Sequence, residues 1–239
     1  ANIIFLNLED FEFRKINTDE SLYEFIEERI RTGFNNYLFI DEVQNVRGFE
    51  SVLKNYVSKN TCDVFVTGSN GKMLSGDLAT YLSGRYIEIP VHPLSYGEFL
   101  EIHGLINSDE SLISFLHFGG LPYLKNLVLN EEIVFEYLKN VSSTVLLKDV
   151  IQHENIRNAD FLQLLSVFIA DNLGNIFSAN NISRFLKSQN ININVAQIIN
   201  YIGAFENAHL VNRVKRTEVN GFKIFEVGEK IYFEDLGLR

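Results

Sequence analysis

The stretch Tyr37-Leu38-Phe39-Ile40-Asp41-Glu42 decides the fold of the first part of the chain. Its four apolar residues predict a buried β-strand, and two carboxylates follow at the carboxyl end of that strand. Open α/β sheets bind ligands at this end, and Asp supplies the hard oxygen that Mg²⁺ prefers. The alternative interpretation is an ordinary strand that ends in two solvated acids.

The segments around this stretch alternate between strand-like and helix-like patterns, which predicts βαβ units with a parallel sheet covered on both faces. Thr18 is placed as the N-cap of the first helix. The predicted strands are Ile3–Leu8, Tyr37–Ile40, Asp63–Val66 and Tyr86–Val91, and the predicted helices are Thr18–Arg31 and Phe49–Val57. We assign residues 1–92 to this α/β core.

Two further signals follow the later strands. Thr67, Ser69 and Asn70 come after Asp63–Val66, so a neutral polar side chain is expected beside Asp41 and Glu42, where it would sense a γ-phosphate or position water. The alternative is a plain strand-to-loop turn. Arg85 precedes the fourth predicted strand and is a candidate arginine finger, with a surface salt bridge as the alternative.

The rest of the chain is predicted to be mainly helical. Residues 93–158 form a helical connector or lid, with helices near 95–103, 108–117, 121–128 and 130–147. Residues 159–239 contain three helical segments, Phe161–Leu173, Ser178–Ser188 and Asn194–Ala208, and then two β-like runs, Leu210–Val214 and Phe222–Val227. Asn220-Gly221 between these runs favours a hairpin turn. Three helices and a hairpin predict a winged helix.

A winged helix raises the hypothesis of nucleic-acid binding, because phosphate contacts need Lys or Arg. The candidate contacts are Arg184, Lys187, Arg213, Lys215, Arg216 and Lys223. The third helix contains no Lys or Arg, so protein binding is the competing hypothesis.

Composition limits the remaining classes. The 239 residues are 46% hydrophobic and 22% charged, which is enough to bury a core. The net charge of −10 falls on residues 1–159, since 8 basic residues balance 8 acidic ones from position 160 onward. The single Cys suits a reducing compartment, and no signal peptide or membrane span is recognised, so we expect a cytoplasmic protein without membrane contact.

The segments LFIDEVQN (38–45), VFVTGSN (64–70), LSGRYIEI (82–89) and HPLSYGEF (92–99) resemble, in order and spacing, bacterial and archaeal P-loop ATPases of the AAA+ superfamily. The resemblance continues in residues 143–158 and 229–239. It implies a Mg²⁺-dependent ATPase core followed by a winged helix and an uncharacterised C-terminal domain.

Residue by residue, the resemblance implies that Asp41 is the magnesium-side carboxylate of a Walker B element and that Glu42 is the catalytic base. Ser69 or Asn70 would be the polar sensor, and Arg85 the arginine finger. ATP and Mg²⁺ are the implied cofactors of the full-length protein. A homo-oligomer, DNA and an unidentified protein are the partners left open.

The phosphate-binding Walker A loop is missing, since Gly71-Lys72 lacks the upstream glycine and is followed by Met73. In the family order this loop should precede Ile3, and we expect the 239 residues to be a fragment that does not bind ATP by itself. The overall expectation is an α/β fold: an incomplete P-loop ATPase core, a helical connector and a winged helix. The alternative function is a nucleic-acid- or protein-binding module on a degenerate ATPase scaffold.

Overall fold

The computed structural model describes residues 1–68, 81–82, 84–152, 159–188, 191–215 and 229–239. The chain divides into two compact units, Ala1–Pro90 and Val91–Arg239. This is a mixed α/β protein, and each unit is considered by itself below.

The first unit contains a three-stranded parallel sheet. Its strands are β1 (Asn2–Asn7), β2 (Asn36–Asp41) and β3 (Asp63–Val66), in the order β1-β2-β3. The connecting helices are α1 (Asp19–Glu27) and α2 (Phe49–Lys59), with short 3-10 turns at Phe11–Phe13 and Val43–Asn45. The predicted βαβ pattern is therefore confirmed over these residues, and Asn7 and Asp41 are register partners at the carboxyl end of the sheet.

Local signals explain where α1 begins. The Thr18 side chain accepts a hydrogen bond from the Ser21 backbone N–H at 3.3 Å, and the Ser21 hydroxyl accepts one from the Thr18 N–H at 3.2 Å. This reciprocal pair satisfies two backbone donors that a helix start leaves without partners. Thr18 is therefore the N-cap that the sequence predicts.

One face of the sheet carries the core of the first unit. Ile4 and Leu6 of β1 and Leu38 and Ile40 of β2 are buried, in one cluster with side chains of α1 and α2. Full burial of such a side chain contributes about 1.5–3 kcal/mol.

The opposite face of the sheet differs from the expectation of a sheet covered on both sides. Among the described residues Ile3, Phe5 and Phe65 on that face are exposed.

The fourth strand predicted at Tyr86–Val91 is wrong. The described residues there form no strand, and Ile87, Ile89 and Val91 are 88%, 77% and 92% exposed. The alternating pattern is strongly β-like, but a strand also needs a neighbour that accepts its backbone hydrogen bonds. No described strand pairs with this segment through backbone hydrogen bonds.

The second unit begins with helices close to the predicted ones. These are α3 (Tyr96–His103), α4 (Asp109–Phe118) and α5 (Glu131–Thr144), followed by a π-helical segment, Val145–Gln152. The helix predicted at 121–128 is a shorter 3-10 helix, Pro122–Asn126. Leu124, Val134 and Leu138 form a small core here together with Phe118.

The C-terminal part contains α6 (Ala159–Asp171), α7 (Ala179–Ser188) and α8 (Val195–Asn207), and then an antiparallel pair, β4 (Val211–Val214) and β5 (Lys230–Phe233). The larger core of this unit joins Val150, Phe161, Phe205 and Ile231. The Asn220-Gly221 turn and the strand predicted at 222–227 lie outside the described residues. The strand that pairs with β4 is one that the sequence did not predict, and the winged-helix assignment stays a prediction.

Candidate functional site

Asp41 and Glu42 lie at the carboxyl end of β2, as predicted. The Asp41 carbonyl accepts a hydrogen bond from the Leu8 N–H at 3.2 Å, which continues the pairing with β1. Glu42 then adopts a left-handed backbone conformation (φ 57°, ψ 46°), which is unusual for a residue other than glycine. Val43 is fully buried, and this burial anchors the turn that follows the two acids.

Thr67 links both acids, although it belongs to the neighbouring segment after β3. Its hydroxyl donates a hydrogen bond to Asp41 Oδ1 and accepts one from the Glu42 backbone N–H at 3.2 Å. Its backbone N–H donates to the Ile40 carbonyl at 2.9 Å, and its carbonyl accepts from the Val43 N–H at 3.1 Å. One of the three neutral polar residues expected beside Asp41 and Glu42 is therefore there.

Gln44 contacts the second acid from within the same turn. Its side-chain Nε2 donates a hydrogen bond to Glu42 Oε2. Sequence reasoning missed Gln44, because a Gln two residues after an acid has no chemical signature of its own. The only signal was its place in the segment LFIDEVQN.

Of the other predicted ATPase residues, the structure describes only Arg85. Ser69 and Asn70 lie outside the described residues. Arg85 is exposed, and its side chain makes no ion pair with Asp41 or Glu42 in the part of the chain that the structure describes. Its backbone N–H donates to the Leu82 carbonyl at 3.0 Å.

The oxygen ligand available to a cation at the sheet edge is the Asp41 carboxylate, which the Thr67 hydroxyl supports by a hydrogen bond. One such carboxylate suits Mg²⁺, which usually takes one or two protein carboxylates and completes its shell with water and phosphate oxygens. Within the described ranges no group of three or more His, Cys, Asp or Glu residues could hold a metal ion. Burial raises the pKa of the Cys62 thiol to about 11, so this thiol is not activated.

The candidate nucleic-acid contacts have different surroundings. Arg184 on α7 is exposed and donates to Asn181 Oδ1, and Lys187 one turn later is exposed as well. Lys215 follows β4 and is also exposed, whereas Arg216 and Lys223 lie outside the described residues.

Arg213 is engaged within the protein. Its Nε donates to Glu206 Oε2 at 2.7 Å, its Nη2 contacts the same oxygen, and its Nη1 lies 3.6 Å from Glu229 Oε2. The hydrogen bonds to Glu206 raise the pKa of the guanidinium further. The Arg213 guanidinium, which the sequence predicts to contact phosphate, is thus already paired with two carboxylates.

The described residues contain no helix that is both long and apolar enough to cross a membrane.

Comparison with known families divides the chain into two regions. Residues 1–100 match the family model of an AAA domain, and residues 109–239 match that of a domain of unknown function (DUF8612). The first region, which contains Asp41 and Glu42, is thus similar to AAA-type ATPases. Neither match bears on the winged-helix prediction.

Two curated relatives are similar to most or all of the chain. An uncharacterised protein of Haemophilus influenzae is 31% identical over 245 residues, which cover 100% of this chain and 60% of the relative. The uncharacterised protein MJ1544 of Methanocaldococcus jannaschii is 29% identical over 221 residues, covering 88% of this chain and 49% of the relative. The chain thus spans about half to three-fifths of the length of these relatives.

Proposed function

We propose that this chain, which belongs to the DUF8612 family, is part of a Mg²⁺-dependent ATPase. The region that precedes its DUF8612 match is similar to an AAA domain. The observation that carries the proposal is the contact of Thr67 with both Asp41 and Glu42 at the carboxyl end of the parallel sheet. The Thr67 hydroxyl binds the carboxylate of Asp41 and the backbone N–H of Glu42, so it fixes the first acid and the main chain at the second.

In this proposal Asp41 would hold Mg²⁺, which would supply positive charge to the phosphates of bound ATP. Glu42 orients the attacking water and accepts its proton. Ser69 or Asn70 acts as the polar sensor, and Arg85 acts as an arginine finger in cis or in trans. Hydrolysis would then drive a conformational change in the appended helical regions.

The proposal places ATP binding in the full-length protein. Residues 1–239 contain no G-x-x-x-x-G-K-[ST] segment, whose backbone amides and Lys carry most of the affinity for phosphates. We therefore expect the 239 residues alone to show no useful ATP binding in a calorimetric titration with Mg²⁺. Micromolar affinity of this chain would overturn that part of the proposal.

The test of the function is ATP turnover by the full-length protein with Glu42→Gln as the central variant. This substitution keeps size and polarity but removes the base, so kcat should fall about 100-fold or more while ATP binding is retained. Glu24→Gln on the exposed side of α1 is the matched control and should leave kcat unchanged. Turnover by Glu42→Gln equal to that of the wild type would remove Glu42 from its role.

A second candidate function is nucleic-acid or protein binding by a winged helix formed from residues 159–239. The observation that favours nucleic acid is the exposure of Arg184 and Lys187 on one helix, together with Lys215. The exposed side of α8 includes Ala196, Gln197, Ile199 and Asn200, which carry no charge and favour a protein partner instead.

Salt dependence separates the two kinds of partner. If Arg184 and Lys187 contact phosphates, replacing both with Ala should reduce the slope of log K against log[salt] by about 2 for duplex DNA. Arg213→Gln should instead lower stability, because Glu206 and Glu229 lose their cation. DNA binding that does not depend on salt would argue against phosphate contacts.

A further inference from the structure

Gln44 contacts the second acid through its side-chain amide, and the proposed roles of Asp41, Glu42 and Thr67 leave this contact without a function. We propose that Gln44 is a positioning residue for Glu42: its amide holds the carboxylate in the orientation from which Glu42 accepts a proton from water. This inference rests on the proposed ATPase function and adds a residue to it.

The backbone around Glu42 explains why the carboxylate needs such a partner. Glu42 leaves β2 in a left-handed conformation, which costs an L-residue roughly 1–2 kcal/mol and turns its side chain away from the strand's regular alternation. Its backbone N–H is bound to Thr67 Oγ1, so the main chain is fixed. The side-chain torsions of Glu42 then decide where its carboxylate lies.

The turn after Glu42 places Gln44 where it can remove that freedom. The Asn45 N–H donates to the Glu42 carbonyl at 3.0 Å, and the Val46 N–H donates to the Val43 carbonyl at 3.1 Å. Val43 and Val46 are both buried at 1% exposure or less, which anchors this 3-10 turn in the core. Gln44 lies between them, half-buried, and its Nε2 reaches Glu42 Oε2.

The chemistry of the donor fits the role. A neutral amide N–H stabilises an ionised carboxylate and fixes one of its oxygens without competing for the proton. With Oε2 held by Gln44, the orientation of the Glu42 carboxylate is fixed relative to the turn. The Thr67 hydroxyl likewise donates a hydrogen bond to the Asp41 carboxylate, so each of the two carboxylates accepts from a neutral side chain.

The experiment compares Gln44→Ala and Gln44→Met in the full-length protein with Asn45→Ala as the control. Asn45 lies in the same turn with an exposed side chain. Misplacement of a catalytic group costs up to about 100-fold, so we expect both Gln44 variants to lower kcat at least about 10-fold with KM for ATP and the Mg²⁺ requirement unchanged. Asn45→Ala should retain the wild-type kcat.

Gln44→Met separates positioning from packing. Met has about the size of Gln and no charge, but it has no amide donor for Glu42. A packing role predicts near wild-type turnover for Gln44→Met, whereas positioning predicts a loss similar to that of Gln44→Ala. A near wild-type kcat for Gln44→Met would overturn the inference.

A double-mutant cycle gives the second readout. In the Glu42→Gln background, Gln44→Ala should cause no further loss in single-turnover rate, because its effect passes through Glu42. An equal loss in both backgrounds would show a structural role and overturn the inference. If Glu42→Gln abolishes turnover but the Gln44 variants match Asn45→Ala, the inference fails and the proposed function stands. Absence of ATPase activity in the wild type would remove both.

Discussion

Asp235 accepts a hydrogen bond at 2.7 Å from the backbone N–H of Gly120, although 115 residues separate the two in the chain. Asp235 is only 3% exposed, and its other oxygen accepts from the Gly237 N–H at 2.8 Å. The Gly120 carbonyl in turn accepts from the Leu94 N–H at 2.8 Å. Segments near both ends of the second unit therefore meet around one buried carboxylate.

The glycines at this junction leave no room for a side chain. A Cβ on Gly120 would lie 2.3 Å from the Leu94 carbonyl oxygen, which belongs to the backbone and cannot rotate away. Gly119, at φ 81°, would place a Cβ 2.1 Å from Asp235 Oδ1. Close backbone approach explains why glycine occupies both positions.

We therefore expect Gly120→Ala to lower the free energy of unfolding by about 3 kcal/mol, at the upper end of the usual cost of overpacking. The measurement is urea unfolding of the 239-residue chain. Gly97→Ala is the control, because Gly97 lies in α3 and a Cβ added there would meet no atom within 4 Å. It should be neutral or gain up to about 1 kcal/mol. Equal stabilities of the two variants would contradict the tight junction.

The charge on Asp235 gives a pH-dependent prediction. Burial raises the pKa of this carboxyl, against the opposing effect of hydrogen bonds from Gly120 and Gly237. A folded-state pKa above the unfolded value means that the folded state binds the proton more readily. The stabilisation from this group is thus fully present below the unfolded pKa and is lost as pH rises through the folded pKa.

Asp235→Asn removes this titration and also sets an amide donor against a backbone N–H, which costs about 1–3 kcal/mol. The stability difference between wild type and Asp235→Asn should therefore be larger at pH 4 than at pH 7. Urea unfolding at the two pH values measures it, with Asp109→Asn on the exposed start of α4 as the control. A difference that shrinks toward low pH would reverse the sign argued here.

Local patterns predicted most of the first unit. The apolar runs at 37–40 and 63–66 became β2 and β3, and Thr18 caps α1, because these features depend on neighbours within a few residues. The carboxyl-end position of Asp41 and Glu42 follows from the same local pattern. For the same reason Thr67 was among the residues expected beside the two acids.

The failures concern long-range contacts. Tyr86–Val91 has a strand pattern but no described partner, and β4 pairs with Lys230–Phe233, a segment that the sequence pattern did not assign as a strand. Arg213 was predicted to face a phosphate, yet Glu206 and Glu229 bind it. Tertiary partners decide the β4–β5 pairing and the contacts of Arg213, and hydrophobic periodicity does not identify such partners.

Asn36 shows how a single polar side chain supports the start of β2. It is buried; its Oδ1 accepts from the Arg31 N–H at 3.1 Å and from Asn2 Nδ2 at 2.7 Å. Its Nδ2 donates to the carbonyls of Arg31 at 3.1 Å, Phe34 at 3.2 Å and Thr61 at 3.3 Å. One amide thus joins the first residue of β1 to the segments before β2 and β3.

Asn36→Leu keeps the side-chain size but leaves several of these backbone groups without their partner. Since each unsatisfied buried group costs about 1–3 kcal/mol, we expect a loss of about 3 kcal/mol in the free energy of unfolding. Asn35→Leu is the matched control, because the neighbouring Asn35 side chain is exposed and should change stability by less than about 0.5 kcal/mol. Similar losses for both would show that Asn36 acts only as a spacer.

Thr67 gives the last prediction, because its hydroxyl donates to Asp41 Oδ1 in the proposed magnesium site. Thr67→Val keeps the shape and removes the donor, so the Mg²⁺ concentration for half-maximal ATPase activity of the full-length protein should rise about 10-fold, as outer partners of metal ligands typically contribute. Thr67→Ser keeps the hydroxyl and should match the wild type. In Thr67→Val the Mg²⁺ concentration for half-maximal activity should rise while kcat at saturating Mg²⁺ stays close to the wild-type value, because Asp41 itself remains. A Thr67→Val protein with the wild-type Mg²⁺ requirement would show that Asp41 needs no support from the segment after β3.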